Sequence, residues 1–359
     1  MLKTFHDSNY KFDFTFDNAT GFYMRTGILD EHGNDTGIDP FMAEFPHLID
    51  VGIMGHCLHG ELGLCVKAGI GCYQNGLNIK EPNMRLNDFK IIAEQCKGRV
   101  NQFALGGRGD PDMHDNFEDI LRICKANDIV PNFTTSGYGL TQEKANICKK
   151  YCGAVAVSWY RSIYTLNAID KLLNASVKTN IHFVISNSTI DEAILRLRNN
   201  DFPTGINAVL FLLHKPAGIG KLGDVLDVNN IKLKEFFSLL EQTHPFKVGI
   251  DSCTVPGIIN FCENIMLEAM DTCEGGRFSC YIDAQMNMTP CSFDQEKNYY
   301  VSLNNNSIIE AWNSNKFNLF RNKLNSACPQ CNERLNCMGG CPLYPDIVLC
   351  NEKKQGVMK

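Results

Sequence analysis

Cysteine thiols are the most distinctive chemical groups of the chain, and they are concentrated near its C-terminus. Of the 17 cysteines, eight lie in residues 273–359. Five of them form a run with the spacing C-x2-C-x5-C-x3-C-x8-C, which consists of Cys328, Cys331, Cys337, Cys341 and Cys350. Thiolates at this density bind zinc or iron–sulfur clusters, and each of these takes four ligands. Spacing alone does not distinguish the two, so both remain open.

A second group of cysteines lies in a glycine-rich segment, residues 55–73. Cys57, Cys65 and Cys72 have the spacing C-x7-C-x6-C and directly follow a short apolar run. Three thiolates leave one iron of a four-iron cluster without a protein ligand, and that iron is free to bind a small molecule. The alternative is that these are three ordinary loop cysteines.

Length, charge and hydropathy exclude several classes of protein. The 359 residues predict about two domains. A net charge of −6 and a pI of about 5.9 argue against a broad nucleic-acid-binding face. No apolar run reaches the ~18–20 residues that a membrane span needs, and the N-terminus lacks the apolar segment of a signal peptide. We therefore expect a cytoplasmic protein with reduced thiols rather than a disulfide framework.

Short apolar runs alternate with segments of helical spacing through the middle of the chain. The predicted strands are His47–Met54, Val100–Leu105, Ile129–Thr135, Ala154–Trp159, Asn180–Ile185, Ile206–Leu213 and Lys247–Ile250. Strands separated by a helix form parallel βαβ units. The pattern predicts an α/β fold, a partial or complete barrel whose functional residues lie in the loops after the strands.

Three regions follow from this pattern. Residues 1–46 are predicted to form an N-terminal extension, in which Tyr10–Phe16 and Gly21–Arg25 pair as a hairpin. Residues 47–256 form the barrel. Residues 257–359 form a small cysteine-rich domain, which begins with a predicted helix at Ile258–Met270.

The cysteine-rich domain resembles the SPASM domain, the auxiliary-cluster module of radical SAM peptide-modifying enzymes. The resemblance rests on the cysteine run and on Asp271–Gly276, Thr289-Pro-Cys291 and Ser307–Asn313. In SPASM domains two [4Fe–4S] clusters are bound in interleaved fashion. The resemblance implies that the first is held by Cys273, Cys291 and Cys341, and the second by Cys328, Cys331, Cys337 and Cys350. Cys280 is either a fourth ligand of the first cluster or a core residue facing the barrel.

With the barrel in place, the C-x7-C-x6-C triad resembles the radical SAM loop, which is normally C-x3-C-x2-C. The resemblance implies that Cys57, Cys65 and Cys72 hold a [4Fe–4S] cluster that binds S-adenosylmethionine (SAM). Motifs after later strands resemble SAM-binding segments, although each alone is also explained by a tight βα turn. The residues that they imply as SAM contacts are Gly106, Gly107, Asp110, Ser136, Ser158, Arg161 and Pro216.

Cys253 lies in Asp251–Pro256, immediately after the last predicted barrel strand. At this rim we expect it to be catalytic, as a hydrogen donor to the substrate, or to be a cluster ligand. An ordinary loop cysteine is the alternative. Cys96, Cys124, Cys148 and Cys262 fall on apolar helical faces and are predicted to pack in the core.

The resemblance implies an enzyme that reductively cleaves SAM to a 5′-deoxyadenosyl radical and abstracts hydrogen from a peptide or protein. We expect maturation of a ribosomally made peptide by crosslinking, thioether formation or epimerisation. A small flavodoxin- or ferredoxin-type protein would donate the electrons. Two alternatives are an anaerobic sulfatase-type maturase that oxidises Ser or Cys, and a zinc-binding module without enzymatic activity.

Overall fold

A computed structural model describes residues 2–264 and 270–351. Its strands are β1 (Leu2–Asp7), β2 (Phe12–Asp17), β3 (Tyr23–Arg25), β4 (Leu48–Met54), β5 (Gln102–Gly107), β6 (Val130–Thr135), β7 (Val155–Ser158), β8 (Thr179–Ile185), β9 (Ala208–Leu213), β10 (Lys247–Ile250), β11 (Ser279–Ile282), β12 (Asn287–Thr289) and β13 (Val301–Ser302). Its helices are α1 (Leu58–Glu61), α2 (Leu64–Lys67), α3 (Leu86–Cys96), α4 (Phe117–Ala126), α5 (Gln142–Tyr151), α6 (Ile163–Asn174), α7 (Ile190–Asn199), α8 (Lys232–Leu240), α9 (Val255–Phe261), α10 (Ile308–Trp312), α11 (Asn315–Asn325) and α12 (Arg334–Cys337).

The described strands from β4 onward form one sheet in the order β10-β9-β8-β7-β6-β5-β4-β11-β12-β13. All neighbours from β4 to β10 are parallel, and helices lie between successive strands. The sheet runs from β10 at one end to β13 at the other, so the barrel is partial. All seven predicted strands are present, each beginning within two residues of its predicted start. The predicted fold class is confirmed.

The barrel has an apolar outer layer and a more polar interior. On β4, Ile49, Val51 and Ile53 are fully buried in the main hydrophobic core. Alternate residues of a strand point to opposite faces, so Asp50 and Gly52 point to the other side of the sheet, the barrel interior. The carboxyl ends of the parallel strands therefore meet at one rim, where the loops can bring distant residues together.

The N-terminal segment forms a separate antiparallel sheet, β1-β2-β3. The predicted pairing of β2 with β3 is present. β1 was not predicted, because its sequence LKTFHD is half polar and its side chains are largely exposed. Where the chain enters the barrel, the His47 ring stacks on Phe14 with centroids 3.8 Å apart, and its Nδ1 lies 2.8 Å from the Tyr23 hydroxyl.

The C-terminal region extends the barrel sheet, since β11 pairs in parallel with β4 and then with β12 in antiparallel fashion. Buried Trp312 on α10 anchors this region by donating its indole N–H to the Ala43 carbonyl at 3.0 Å. The helix predicted at 258–270 ends at Phe261, and residues 265–269 lie outside the described chain. In the described parts of the chain, each helix is too short or too polar to cross a membrane.

Candidate metal and cofactor site

The loop after β4 brings the three thiols of the widely spaced triad together. Cys57 precedes α1, and its Sγ accepts the N–H of Gly60 at 3.1 Å. Cys65 lies on α2. Burial, followed by the charge of Asp110, raises the pKa of Cys57 to about 12, and the charges of Cys72 and Cys65 contribute to this rise. Burial, followed by the charge of Cys72, also raises the pKa of Cys65. The three thiols therefore lie within electrostatic reach of one another, despite the two long gaps between them.

Glycines allow this loop to fold back on itself. A Cβ at Gly76 would lie 2.8 Å from the Cβ of Cys57, and one at Gly60 would lie 2.4 Å from the carbonyl oxygen of Gly76. Both approaches are closer than real Cβ atoms make. The backbone therefore comes close to the cysteines only because side chains are missing at these positions.

Arg108 holds the two ends of the loop together, and no sequence signal pointed to it. Its Nη1 donates to Glu81 at 2.8 Å and to the Gly55 carbonyl at 3.2 Å, while its Nε donates to the Gln74 carbonyl at 2.9 Å. An arginine within a loop is ordinary in sequence. Its role becomes visible only when its three acceptors are known.

At the end of β5, Gly107 has a strained backbone in a crowded position, whereas Gly106 borders empty space. Gly107 has a φ of +100°, and a Cβ there would lie 2.6 Å from the Met54 carbonyl oxygen. A Cβ at Gly106 would meet no described atom within 4 Å. The backbone at Gly106 thus borders free space at the rim of the barrel, as a close approach to a ligand requires.

Asp110 and Ser136 are brought into direct contact. Both carboxylate oxygens of Asp110 accept from Ser136, one from its N–H and one from its hydroxyl, each at 2.6 Å. Burial, followed by the charge of Asp112, raises the pKa of Asp110. The loops after β5 and β6 are fixed to each other beside the thiol triad.

The remaining predicted SAM contacts have different surroundings. Ser158 is the last residue of β7. Arg161 is paired with Glu192, so its guanidinium already has a carboxylate partner within the chain. Pro216 belongs to the turn after β9, which packs against the cysteine loop through an Ile219 N–H that donates to the Cys72 carbonyl at 3.1 Å.

An aromatic group at the rim was not anticipated from the sequence. The charges of Cys72, Asp110, Cys65 and Cys57 all act on the Tyr160 hydroxyl, whose pKa is raised chiefly by burial. The His59 ring lies 4.4 Å from the Tyr160 ring, and its Nε2 is 2.7 Å from the Tyr164 hydroxyl. Scattered tyrosines carry no motif, which is why no pattern identified them.

A second group of thiols comes from four segments that are distant in sequence and contains Cys253, Cys273, Cys291 and Cys341. Interaction with the Cys341 thiol and burial raise the pKa of Cys253 well above its usual value. After burial, the charge of Cys253 is the next largest cause of the raised pKa of Cys273. Burial, followed by the charges of Cys273 and Cys253, raises the pKa of Cys291. The loop after β10 therefore places Cys253 with the three cysteines that the sequence assigned to the first auxiliary cluster.

Cys280 lies elsewhere. It pairs with Ile49 across β11 and β4, on the face that forms the hydrophobic core, and is 2% exposed. After burial, the charge of Cys96 on α3 is the next largest cause of the raised pKa of Cys280. Its neighbour Tyr281 points to the opposite face, where its hydroxyl covers Gly52. The structure favours the core interpretation of Cys280 over the ligand interpretation.

A third group lies at the C-terminal end of the described chain. Burial raises the pKa of Cys337 to about 11, and the charges of Cys350 and Cys328 contribute to this rise. The Cys331 N–H donates to the Cys328 carbonyl at 3.1 Å, which closes a tight turn between these two residues. The described part of this region thus gathers the cysteines that the sequence assigned to the second auxiliary cluster.

Among the described residues, no group of three or more His, Cys, Asp or Glu side chains is arranged to hold a metal ion. A zinc ion would need its thiolates about 2.3 Å from a common centre. The donors of each gathered set are thiols, which are the usual protein ligands of iron–sulfur clusters. The donor chemistry therefore fits an iron–sulfur cluster, and thiols alone do not distinguish it from zinc.

Residues 273–338 match the family described as SPASM, an iron–sulfur cluster-binding domain. The C-terminal region is a SPASM domain. The fold of the chain is similar to that of Streptococcus suis SuiB bound to S-adenosylmethionine, with a TM-score of 0.65 and 14% identity over 86% of this chain and 78% of SuiB. SuiB bound to its precursor peptide SuiA gives a TM-score of 0.64 and 13% identity over 86% and 77%.

A second solved protein, anSMEcpe with bound AdoMet, has a TM-score of 0.57 and 16% identity over 82% of this chain and 89% of that one. No curated protein matches the chain. At these identities the similarity establishes the fold, that of radical SAM enzymes with a SPASM domain. The family resemblance and the fold class expected from the sequence are both confirmed.

Proposed function

We propose that the chain is a radical SAM/SPASM enzyme that modifies a peptide or protein substrate. The observation that carries the proposal is the convergence of Cys57, Cys65 and Cys72 at the rim of a radical SAM fold. A [4Fe–4S] cluster with an open iron would supply there the electron that cleaves SAM into methionine and a 5′-deoxyadenosyl radical.

The protein residues around the triad bind and orient the cofactor in this proposal. Gly106 leaves room for SAM beside the strand end, and the contact between Asp110 and Ser136 fixes the adjoining loops. Arg108 keeps the cysteine loop closed. We retain Ser158 and Pro216 as SAM contacts, whereas the pairing of Arg161 with Glu192 supports a role for Arg161 in shaping the rim.

The SPASM domain would hold two auxiliary clusters. We assign Cys253, Cys273, Cys291 and Cys341 to the first, so Cys253 becomes a ligand in place of Cys280. A thiol that ligates iron cannot also serve as a free hydrogen donor, so this assignment replaces the catalytic role considered for Cys253. Cys328, Cys331, Cys337 and Cys350 would hold the second cluster.

A peptide is the substrate class that the comparisons support. SuiB has been solved with a precursor peptide, and anSMEcpe with a peptide named Cp18Cys. For the present chain we propose hydrogen abstraction from a ribosomally made peptide, with electrons from a flavodoxin- or ferredoxin-type donor. The abstraction would begin a crosslinking, thioether-forming or epimerising reaction.

Anaerobic reconstitution tests the proposal. Wild type incubated with SAM and dithionite is expected to form 5′-deoxyadenosine, measured by mass spectrometry. The triple variant Cys57→Ala, Cys65→Ala, Cys72→Ala should form none while keeping the iron of the SPASM domain. Cys148→Ala, in the buried core, is the control and should behave as wild type. A colourless wild type that contains zinc, or a reconstituted one that leaves SAM intact, would overturn the proposal.

A further inference from the structure

A buried ion pair lies beside the Cys253 group of thiols. The Nζ of Lys215, just after β9, is 2.9 Å from the Oδ2 of Asp251, just after β10. The Lys215 side chain is only 3% exposed. Asp251 also accepts the Leu213 N–H at 3.2 Å and the Thr254 hydroxyl at 2.5 Å. The carboxylate is therefore held by two further donors, and it fixes the position of the ammonium.

The pair is placed by segments that also carry thiols. Asp251 is two residues before Cys253. The Lys215 Nζ lies 4.3 Å from the centre of the Phe293 ring, which is two residues after Cys291. The positive charge thus lies between two of the four proposed ligand segments, in a region from which water is largely excluded.

The ammonium lies next to the segments that carry two of these thiols. It contacts Asp251, which is two residues from Cys253, and the Phe293 ring, which is two residues from Cys291. Burying a lysine is costly, and Asp251 offsets that cost. The pair therefore fixes the Lys215 ammonium beside two of the proposed ligand segments.

We propose that Lys215 raises the reduction potential of the auxiliary cluster held by Cys253, Cys273, Cys291 and Cys341. The inference rests on the proposed function, because it requires a cluster at this site. A cluster that takes one electron from a donor such as dithionite gains one negative charge. A nearby ammonium stabilises that reduced state more than the oxidised one. Asp251 is a positioning residue that holds the ammonium in place.

The same pair gives the cluster a use in the proposed reaction. Hydrogen abstraction leaves a carbon radical on the peptide. When this radical forms a bond to a thiol sulfur, the thiol proton passes to water or a base and one electron remains to be removed. A cluster with a raised potential accepts that electron more readily. Lys215 would thus favour electron flow from the substrate radical to the SPASM domain, where the cluster is reduced by one electron.

A redox titration followed by electron paramagnetic resonance tests this inference. The protein is the full chain carrying Cys57→Ala, Cys65→Ala and Cys72→Ala, so that only the auxiliary clusters contribute signals. Lys215→Met should shift one midpoint potential to more negative values. We expect at least a tenfold fall in the reduced-to-oxidised ratio at the parent midpoint, which is 59 mV for one electron. The other cluster serves as an internal reference.

Three further variants sharpen the result. Asp251→Asn keeps an acceptor for the Leu213 N–H and should shift the same potential in the opposite direction. Lys215→Arg keeps the charge and should stay near the parent value. Lys232→Met removes an exposed lysine paired with Asp191 and should change nothing.

Two failures are distinguishable. Full iron content with an unchanged potential in both Lys215→Met and Asp251→Asn would overturn the role of Lys215 while leaving the cluster assignment intact. Absence of iron from the parent protein after reconstitution would overturn the proposed function itself. If Lys215→Met fails to fold, Lys215→Gln, which removes the charge but keeps a polar side chain, decides the question: a shift to more negative potential supports the role of Lys215, and an unchanged potential overturns it.

Discussion

The ring of Tyr73 stacks on the ring of Phe293, with centroids 4.2 Å apart and planes inclined by 25°. Tyr73 directly follows Cys72 of the proposed SAM cluster, and Phe293 lies two residues after Cys291 of the proposed auxiliary cluster. The stack therefore connects the loop after β4 to the SPASM domain at the point where both approach their thiols. Rigid aromatic contacts of this kind fix the relative position of two segments.

This contact predicts energetic coupling between the barrel and the SPASM domain. Tyr73→Ala and Phe293→Ala should each lower the free energy of unfolding. Together they should lower it less than the sum of the two, by about 0.5–1.5 kcal/mol, since the stack is lost only once. Urea unfolding of the reconstituted protein measures the cycle. Tyr73→Ala combined with Phe22→Ala, at an exposed N-terminal site, should be additive. Additivity of the Tyr73 and Phe293 changes would show that the stack does not couple the segments.

The assignment of Cys253 predicts a difference between two single variants. Cys253→Ala should lower the bound iron and bleach part of the absorbance near 400 nm, because one cluster loses a ligand. Cys280→Ala should keep all the iron and cost only about 1 kcal/mol of stability, the usual cost of a core truncation. Iron analysis after desalting separates the two. The reverse result, with iron lost only from Cys280→Ala, would restore Cys280 as the ligand.

The contrast between these two cysteines shows what the sequence could predict. The strands of the barrel were found because their apolar runs are local and recur with βα spacing. Cys280 falls on the apolar face of a strand, and its core position was one of the two interpretations that the sequence left open. The partners of Cys253 lie 20 to 88 residues away, and only tertiary structure brings them together.

The loop around the triad illustrates the same limit. The glycine-rich segment predicts that Cys57, Cys65 and Cys72 act together, but their convergence depends on Arg108 and on close approaches at Gly60 and Gly76. None of these has a local signature. β1 was missed for a different reason, since an edge strand that is half polar lacks the apolar run by which strands are recognised.

Substitutions at two adjacent glycines are expected to have different effects, one on stability and the other on cofactor binding. Gly107→Ala should destabilise the fold by about 1–3 kcal/mol, because it places a Cβ at a φ of +100° and against the Met54 carbonyl. Gly106→Ala should fold normally and weaken SAM binding at least tenfold, since its Cβ enters space left for the ligand. Anaerobic calorimetry measures the affinity. Wild-type affinity in Gly106→Ala would place SAM away from this strand end.

Replacing Arg108 is expected to cause selective loss of the cluster held by Cys57, Cys65 and Cys72. Arg108→Met leaves the Gln74 carbonyl and the Glu81 carboxylate without this donor, while the Gly55 carbonyl keeps the Glu81 N–H, and it should cost about 1–3 kcal/mol of local stability. Iron held by the cysteine loop should fall, while the iron of the SPASM domain stays. Arg122→Met, which removes an exposed arginine on α4, is the matched control. Uniform retention of iron in Arg108→Met would show that the loop closes without this arginine.

The lowered pKa of His47 predicts that the free energy of unfolding depends on pH. Its side chain is buried against Phe14 and Tyr23, and burial, followed by the charge of Arg25, lowers its pKa to about 3. In the unfolded chain the imidazole binds a proton near pH 6.5. Between these two values the unfolded state binds more protons, so stability falls as the pH falls through the window and is flat above it. From pH 7.5 to pH 5 the loss amounts to about 2 kcal/mol, at 1.36 kcal/mol per pH unit.

Urea unfolding at several pH values between 5 and 7.5 measures this contribution. His47→Gln retains a polar side chain for the Tyr23 hydroxyl but cannot titrate, so its stability should fall less steeply with acid than that of wild type. His32→Gln, at an exposed site, is the matched control for a histidine-to-glutamine change outside the core. Equal slopes in His47→Gln and wild type would mean that His47 binds its proton equally well in the folded protein. The acid sensitivity of the contact between the N-terminal sheet and the barrel would then arise from other groups.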